Sequence, residues 1–186
     1  MNNKEIAKVL ITGPFNSGKT TLIKLVSDEQ LTGNDVEATD ELAQFKGMTT
    51  VGLDFGVLHV DDELDVHLFG TPGQARFNFM WKTLSKGALG TILLIDSSNQ
   101  KAIDEAKEMY QFYRELSDMP IIIGATKQDF PESKSIQHIA SELGIDDARI
   151  IPSNPCIKED SKDLIIALLE EIIENESLTQ DAVFSL

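Results

Sequence analysis

Residues 13–20 read Gly13-Pro14-Phe15-Asn16-Ser17-Gly18-Lys19-Thr20, and they join an apolar run at 9–11 to a helix-like segment at 21–26. In this strand–loop–helix context the pattern G-x-x-x-x-G-K-[ST] indicates phosphate binding. The two glycines let the backbone wrap so that successive N–H groups point at one anion, with a helix N-terminus behind them. Lys19 supplies a positive charge for the β- and γ-phosphates, and Thr20 supplies a hydroxyl for Mg²⁺. This stretch, the P-loop, predicts a site for a nucleoside triphosphate.

A second motif indicates which base is bound. An apolar run at 121–125 is typical of a buried strand, and Thr126-Lys127-Gln128-Asp129 follows it directly. The Asp129 carboxylate can accept two hydrogen bonds from the N1–H and N2 amino groups of guanine. Adenine has no amino group there and would leave the carboxylate unpaired, which a polar site rejects strongly. The stem of Lys127 can lie over the base plane, so the predicted ligand is GTP or GDP.

The remaining pattern predicts an α/β protein with a P-loop NTPase fold. Predicted strands at 7–12, 51–60, 64–69, 91–96, 120–126 and 149–152 alternate with predicted helices at 19–29, 76–86, 101–117, 134–143 and 161–175. This alternation favours a six-stranded, mostly parallel sheet with helices on both faces. The two strands at 51–60 and 64–69 form one antiparallel edge hairpin. We expect a single domain over residues 1–186, with 176–186 as a flexible tail.

Composition narrows the possible partners and compartment. The 16 Lys and Arg against 31 Asp and Glu give a net charge of −15, which argues against binding nucleic acid or an anionic membrane. Cys156 is the only cysteine, as is common in a reducing compartment. The chain shows no signal-peptide pattern, no lipidation motif and no apolar run of membrane-spanning length. We therefore expect a soluble, cytoplasmic protein without a stable membrane anchor.

The two motifs resemble those of the Ras superfamily of small GTPases, and the resemblance extends over residues 8–175. It implies a molecular switch that binds Mg²⁺ and hydrolyses GTP to GDP. The resemblance matches the switch I threonine, which meets Mg²⁺ and the γ-phosphate, to Thr50, with Thr49 as the neighbouring alternative. The fifth nucleotide motif falls at 153–156 and matches poorly.

The switch II motif D-x-x-G-Q of this superfamily corresponds to residues 70–74, Gly70-Thr71-Pro72-Gly73-Gln74. Gly73 resembles the backbone donor to the γ-phosphate, and Gln74 resembles the residue that orients the attacking water. The predicted catalytic residues are Lys19, Gly73 and Gln74. The predicted metal ligands are Thr20, Thr50 and Asp54. The predicted nucleotide-binding residues are Gly13, Asn16, Ser17, Gly18, Lys19, Thr20, Thr21, Thr50, Gly73, Thr126, Lys127, Asp129, Ser153, Asn154 and Pro155.

More narrowly, residues 69–81 are similar to the prokaryotic small GTPases of the gliding-polarity and conservon type, which commonly work with Roadblock-fold partners. This stretch contains four large apolar residues within five positions, and they cannot all face one core stripe of a helix. They are Phe77, Phe79, Met80 and Trp81. The pattern predicts a partly exposed patch beside switch II, where a regulatory protein partner such as a Roadblock-like protein docks.

One departure from the family pattern is Gly70, which stands where the family has an aspartate that holds a Mg²⁺-bound water. Asp54 lies on the preceding predicted strand. If the hairpin pairs Val60 with Leu64, position 70 faces position 54 on the same side of the sheet. Asp54 then carries the lost carboxylate to the metal. A one-residue slip would instead turn it toward solvent as an ordinary strand residue.

Two further departures predict slow hydrolysis by the chain alone. Phe15 either crowds the γ-phosphate side of the P-loop or tucks sideways against switch II, and Pro72 stiffens the turn before Gly73. The arginines Arg76, Arg114 and Arg149 are too scattered to supply an obvious arginine finger in cis. The alternative to a working GTPase is a guanine-nucleotide-loaded scaffold that seldom or never turns over.

Overall fold

The computed structural model describes residues 4–30, 53–145 and 150–184, in which strands and helices alternate along the chain. The strands are β1 Glu5–Thr12, β2 Glu29–Gln30, β3 Phe55–His59, β4 Leu64–Gly70, β5 Gly90–Asp96, β6 Ile121–Thr126 and β7 Ile150–Pro152. The helices are α1 Lys19–Val26, α2 Asn78–Leu84, α3 Gln100–Leu116, α4 Ile136–Leu143 and α5 Lys158–Phe184, and a 3-10 turn Ala75–Phe77 directly precedes α2.

The seven strands within the described residues form one sheet with the order β2-β3-β4-β1-β5-β6-β7. The central strand β1 pairs in parallel with β4 and β5, and β6 and β7 extend the parallel part. The β3–β4 and β2–β3 pairs are antiparallel. The prediction of a mostly parallel six-stranded sheet with an antiparallel hairpin is confirmed, and the two-residue strand β2 extends the hairpin edge. The sequence did not predict β2, because two residues are too few to produce a periodic pattern.

Several predicted boundaries shift in the structure. The helix predicted at 19–29 ends at Val26, because Ser27 is extended and its hydroxyl donates to the Ile23 carbonyl at 2.6 Å. The helix predicted at 76–86 is split into the 3-10 turn and α2. Helix α5 continues to Phe184, so the backbone of 176–184, predicted as part of a tail, is helical. The predicted strand at 51–60 is observed as β3, and residues 51–52 lie outside the described residues.

The sheet is covered on both faces by apolar side chains. Along β1, Val9 and Ile11 pack toward α1 and α5, while Leu10 packs toward α2, α3 and α4. This alternation follows from the two-residue period of a strand. Because strands buried on both faces must be apolar throughout, β1, β5 and β6 read as continuous apolar runs. The loops that follow these parallel strands meet at one edge of the sheet, which is where ligands bind in folds of this type.

The β3–β4 hairpin has the predicted register. Phe55 pairs with Phe69 and His59 pairs with Asp65. Asp54 therefore lies opposite Gly70, whose N–H donates to the Asp54 carbonyl at 2.8 Å. A Cβ atom on Gly70 would lie 3.0 Å from the Asp54 Cβ, so the glycine leaves room for the aspartate.

At the other end of this hairpin, His59 joins β2, β3 and β4 through charged groups. Its Nδ1 lies 2.8 Å from the Asp65 carboxylate, and its Nε2 lies 3.5 Å from the Glu29 carboxylate. Lys4 also contacts Asp65, at 2.9 Å. The hydrogen bond to Asp65 raises the pKa of His59.

We expect His59→Gln to remove part of the pH dependence of stability. A raised pKa means that protonated His59 stabilises the fold below about pH 6.5, the ordinary histidine value, and that this contribution is lost as pH rises through the folded pKa. Urea unfolding across this range should show the variant less stable than the wild type at low pH and equal to it at high pH. His138→Gln, on α4, is the control. A constant difference at all pH values would contradict this role for His59.

Candidate nucleotide-binding site

The P-loop depends on glycine at two positions. Gly13 and Gly18 have φ values of 143° and 104°, which L side chains rarely adopt. A Cβ on Gly13 would lie 2.2 Å from the Leu94 carbonyl oxygen, and one on Gly18 would lie 2.5 Å from the Pro155 ring. Helix α1 begins directly after Gly18, so its first N–H groups face the loop. The result is a closed backbone cradle at the carboxyl end of β1, as predicted for phosphate binding.

Lys19 places its ammonium inside this cradle. The Nζ atom donates to the carbonyls of Gly13 at 2.8 Å and Pro14 at 2.7 Å. Burial lowers the Lys19 pKa to about 8, although the nearby Asp54 carboxylate opposes this shift. Phosphate oxygens would replace the carbonyls as partners, and their negative charge favours the protonated lysine.

Thr20 and Asp54 bring two oxygen ligands together beside the P-loop. The Thr20 hydroxyl donates to Asp54 Oδ2 at 2.5 Å, and both residues line the same cavity. Mg²⁺ is typically bound by one or two protein oxygens together with phosphate oxygens and waters, so this donor set fits the ion. The described part of the chain holds no group of three or more His, Cys, Asp or Glu side chains that would bind a metal by itself. The other predicted ligand, Thr50, and its alternative Thr49 lie outside the described residues.

Switch II lies directly against the P-loop. A Cβ on Gly73 would lie 2.7 Å from both the Gly13 carbonyl oxygen and the Phe15 nitrogen. Gln74 is exposed and lines a cavity of about 370 Å³ together with Lys19 and Phe15. The predicted catalytic residues, distant in sequence, are thus brought together. Phe15 lines this cavity and is 74% exposed, so its ring is not tucked sideways against switch II.

The loop after β6 is tied to the end of β5 and to the P-loop. Lys127 has a left-handed backbone with φ of 59°, and its ammonium binds the buried Asp96 carboxylate at 2.5 Å. Burial would raise the pKa of Asp96, but hydrogen bonds from Lys127 and Ser98 outweigh it and hold this pKa below its usual range. The Thr126 hydroxyl donates to the Ser17 carbonyl at 3.3 Å, which links this loop to the P-loop. Asp129 is exposed at the end of the motif.

Sequence reasoning did not identify the pairing of Asp96 with Lys127. The two residues are 31 positions apart, and they meet because β5 and β6 are adjacent and Asp96 pairs with Thr126. The only hint in the sequence was that Asp96 stands at the end of an apolar run predicted to be a buried strand. The pair fixes the head of Lys127, and with it the direction of the side-chain stem.

The fifth loop, after β7, lies beside the P-loop even though its sequence matches the family motif poorly. The Pro155 ring packs on Gly18. The Asn154 N–H donates to Asp160 at 2.9 Å, and the Asn154 side-chain oxygen accepts from the Cys156 N–H at 3.0 Å. Pro155 has no N–H, and the Ser153 N–H donates to the Ala125 carbonyl at 3.0 Å. These backbone donors are engaged within the protein, so the loop shapes the pocket mainly through its packing.

The predicted apolar patch is partly exposed. Phe79 is 57% exposed and Phe77 is half-buried, whereas Met80 and Trp81 are buried in the core. The Arg76 guanidinium lies 4.7 Å from the centre of the Phe77 ring.

Within the described residues, no helix combines the length and apolar character that crossing a membrane requires.

The glycine-bounded loop after β1, the loop at 126–129 and a switch segment that meets the P-loop form the arrangement expected of a small GTPase. The chain matches the ADP-ribosylation factor family over residues 1–171, and it belongs to that family. It is therefore a GTP-binding protein of the Ras superfamily that hydrolyses GTP to GDP and acts as a nucleotide-dependent switch.

Two relatives with family names agree with this assignment, and a third relative has no assigned family name. The chain is 26% identical to ADP-ribosylation factor-like protein 3 of Saccharomyces cerevisiae, over 94% of this chain and 90% of the yeast protein. It is 28% identical to ADP-ribosylation factor D of Dictyostelium discoideum, over 76% of this chain and 61% of that protein. A protein of Methanocaldococcus jannaschii is 33% identical over 68% of this chain and 73% of its own length.

Proposed function

We propose that GTP is hydrolysed in the cavity between the P-loop and switch II, with Lys19, Gly73 and Gln74 acting on the reacting groups. One observation carries this proposal: Gly73 packs against the P-loop backbone, and Gln74 lines the same cavity as Lys19. Two segments that are distant in sequence therefore meet where the γ-phosphate is expected. The family assignment supports the reaction itself.

In this mechanism a water oxygen attacks the γ-phosphorus, and the bond from that phosphorus to the bridging oxygen of GDP breaks. The products are GDP, inorganic phosphate and the proton that the water gives up. The Gln74 amide has both a donor and an acceptor, so it can orient the water. The Lys19 ammonium and the Gly73 N–H stabilise charge on the transferring phosphoryl group. Mg²⁺, held by Thr20 and Asp54 and, by the family resemblance, Thr50, would neutralise further phosphate charge.

We propose that the P-loop residues Asn16, Ser17 and Thr21 complete the phosphate site. Thr126, Lys127 and Asp129 bind the guanine base, and the loop Ser153-Asn154-Pro155 closes the pocket around it. The Lys127–Asp96 ion pair supports this assignment, because it holds the lysine stem in one direction at the mouth of the loop.

We infer that turnover is slow until a protein partner binds. Phe15 lies at the rim of the cavity, Pro72 stiffens switch II, and Arg76 rests on the Phe77 ring. The exposed Phe79 and half-buried Phe77 offer an apolar contact beside Gln74, and the similarity of residues 69–81 to the gliding-polarity and conservon type favours a Roadblock-like partner. The lone cysteine supports a reducing, cytoplasmic setting.

Single-turnover hydrolysis of bound GTP by purified protein tests this proposal. We expect a slow basal rate that Gln74→Ala lowers by roughly tenfold or more, because displaced positioning groups cost up to about 10²-fold. Arg76→Ala is the matched control in the same segment, and we expect it to leave the basal rate unchanged.

A fast basal rate that Gln74→Ala does not alter would contradict the role of Gln74 and the need for a partner. A large loss in Arg76→Ala would identify an arginine acting in cis. No hydrolysis under any condition, with tight GTP binding, would favour the loaded-scaffold alternative.

A further inference from the structure

The start of switch II is held by hydrogen bonds to β1. The Thr71 N–H donates to the Ile11 carbonyl at 2.9 Å, and the Thr71 and Thr12 hydroxyls are 2.7 Å apart. The Thr12 hydroxyl also lies 3.4 Å from the hydroxyl of Tyr113, which is buried on α3. Burial raises the Tyr113 pKa to about 12, so this hydroxyl stays protonated. Thr71 is therefore held at a fixed position relative to the P-loop, which follows Thr12.

The next residue, Pro72, is held from the opposite side through its carbonyl group. Its carbonyl accepts a hydrogen bond of 2.8 Å from the indole N–H of Trp81 on α2. Trp81 is 5% exposed. Its ring stacks on Tyr113 with a centroid distance of 6.2 Å and makes a T-shaped contact with Phe112 with a centroid distance of 5.4 Å. A buried indole N–H needs a partner, and the stack on Tyr113 sets the direction in which that N–H points.

Gln74 follows two residues after Pro72. Between them, Gly73 is already in contact with the P-loop, so the short segment has little freedom to absorb a displacement of the Pro72 carbonyl. The Gln74 carbonyl in turn accepts from the Phe77 N–H at 3.0 Å, which leads into α2. We propose that Trp81, through its hydrogen bond to Pro72, is a positioning residue that holds Gln74 at the phosphate side of the cavity. This inference rests on the proposed role of Gln74.

The test removes the N–H and keeps the ring. Trp81 is the only tryptophan in the chain, so replacing tryptophan with 3-(3-benzothienyl)alanine changes only position 81. The replacement has a sulfur in place of the indole N–H and keeps the two fused rings. We expect the single-turnover rate to fall by roughly five- to fifty-fold, since a misplacement of about 1 Å can cost 10²-fold. GTP and GDP affinities should stay within about twofold, because the proposed effect is on orientation and not on binding. Trp81→Phe should behave in the same way if it folds, as judged by thermal unfolding.

A double-mutant comparison separates positioning from general loosening of the structure. In the Gln74→Ala background, loss of the indole N–H should have no further effect on the rate, because the residue that it positions is gone. Phe112→Leu is the matched control, since it removes an aromatic contact of Trp81 and leaves the N–H available to Pro72. We expect this control to hydrolyse at the wild-type rate.

The outcomes distinguish the inference from the proposed function. An unchanged rate in Gln74→Ala itself would overturn the proposed function. If Gln74→Ala hydrolyses GTP slowly but the protein with benzothienylalanine at position 81 hydrolyses it at the wild-type rate, only the role of Trp81 is overturned. Two further results would also overturn the role of Trp81: an equal loss of rate on removing the indole N–H with Gln74 present and with Gln74→Ala, or a slow Phe112→Leu protein. Either result would assign the effect to packing around Trp81.

Discussion

Asp129→Asn is expected to weaken binding of GTP and GDP by on the order of 10⁴-fold, because a site built to hydrogen-bond a ligand group loses roughly this much when the pairing is lost. The carboxamide presents an NH₂ donor group in place of one of the two carboxylate oxygens, which only accept. Xanthine has an oxygen in place of the guanine amino group and can accept from that donor. The variant should therefore prefer xanthosine nucleotides.

Calorimetric affinities for GDP and xanthosine diphosphate measure this change directly. Glu132→Gln makes the same change of charge three residues further along and should leave both affinities as in the wild type. If Asp129→Asn binds GTP normally, the assignment of the loop after β6 to the base is wrong. If it loses both nucleotides equally, the carboxylate supports the loop and does not select the base.

Asp54→Ala is expected to lower nucleotide affinity in the presence of Mg²⁺ by about 10–100-fold, the usual cost of losing a group that supports a metal. With EDTA the affinity should be nearly unaltered. The reason is the contact between the Asp54 carboxylate and Thr20, which brings the two proposed Mg²⁺ ligands together at the cavity. Fluorescent GDP titrations with Mg²⁺ and with EDTA separate the two effects.

Asp62→Ala, in the exposed turn of the same hairpin, removes an equal charge and serves as the control. Equal losses with and without Mg²⁺ would indicate a folding defect, and no loss in either condition would make Asp54 a bystander. A swap sharpens the test: Asp54→Gly with Gly70→Asp moves the carboxylate to the paired position on β4. Because the two Cβ positions are 3.0 Å apart, the swap should recover part of the Mg²⁺-dependent affinity that Asp54→Gly alone loses.

Local patterns were sufficient to predict the P-loop, the order of elements and the hairpin register. Gly13 and Gly18 stand where only glycine is tolerated, so their spacing already specified the backbone conformation. The turn at 61–63 determined which residues of β3 and β4 face each other, and from this the position of Asp54 followed. These features depend on residues that are close in sequence, or on a strand period that the pattern itself displays.

Contacts between distant elements were not predictable from the sequence. The two-residue strand β2 exists because Glu29 and Gln30 pair with β3, and no pattern of their own marks them. The sequence predicted that some residues in 77–81 are exposed. Packing of α2 against α3 decided that Phe79 is exposed and that Trp81 is buried.

The sequence by itself determined that this chain builds a glycine-bounded P-loop on an α/β sheet, because backbone conformation and strand burial depend on local residue types. The tertiary structure alone decided which side chains hold those parts in place. Asp96 meets Lys127, and Trp81 meets Pro72, only after the strands are ordered and the helices are packed. A hydrogen bond or ion pair requires atoms to come within about 3 Å, and only the packed structure determines that distance.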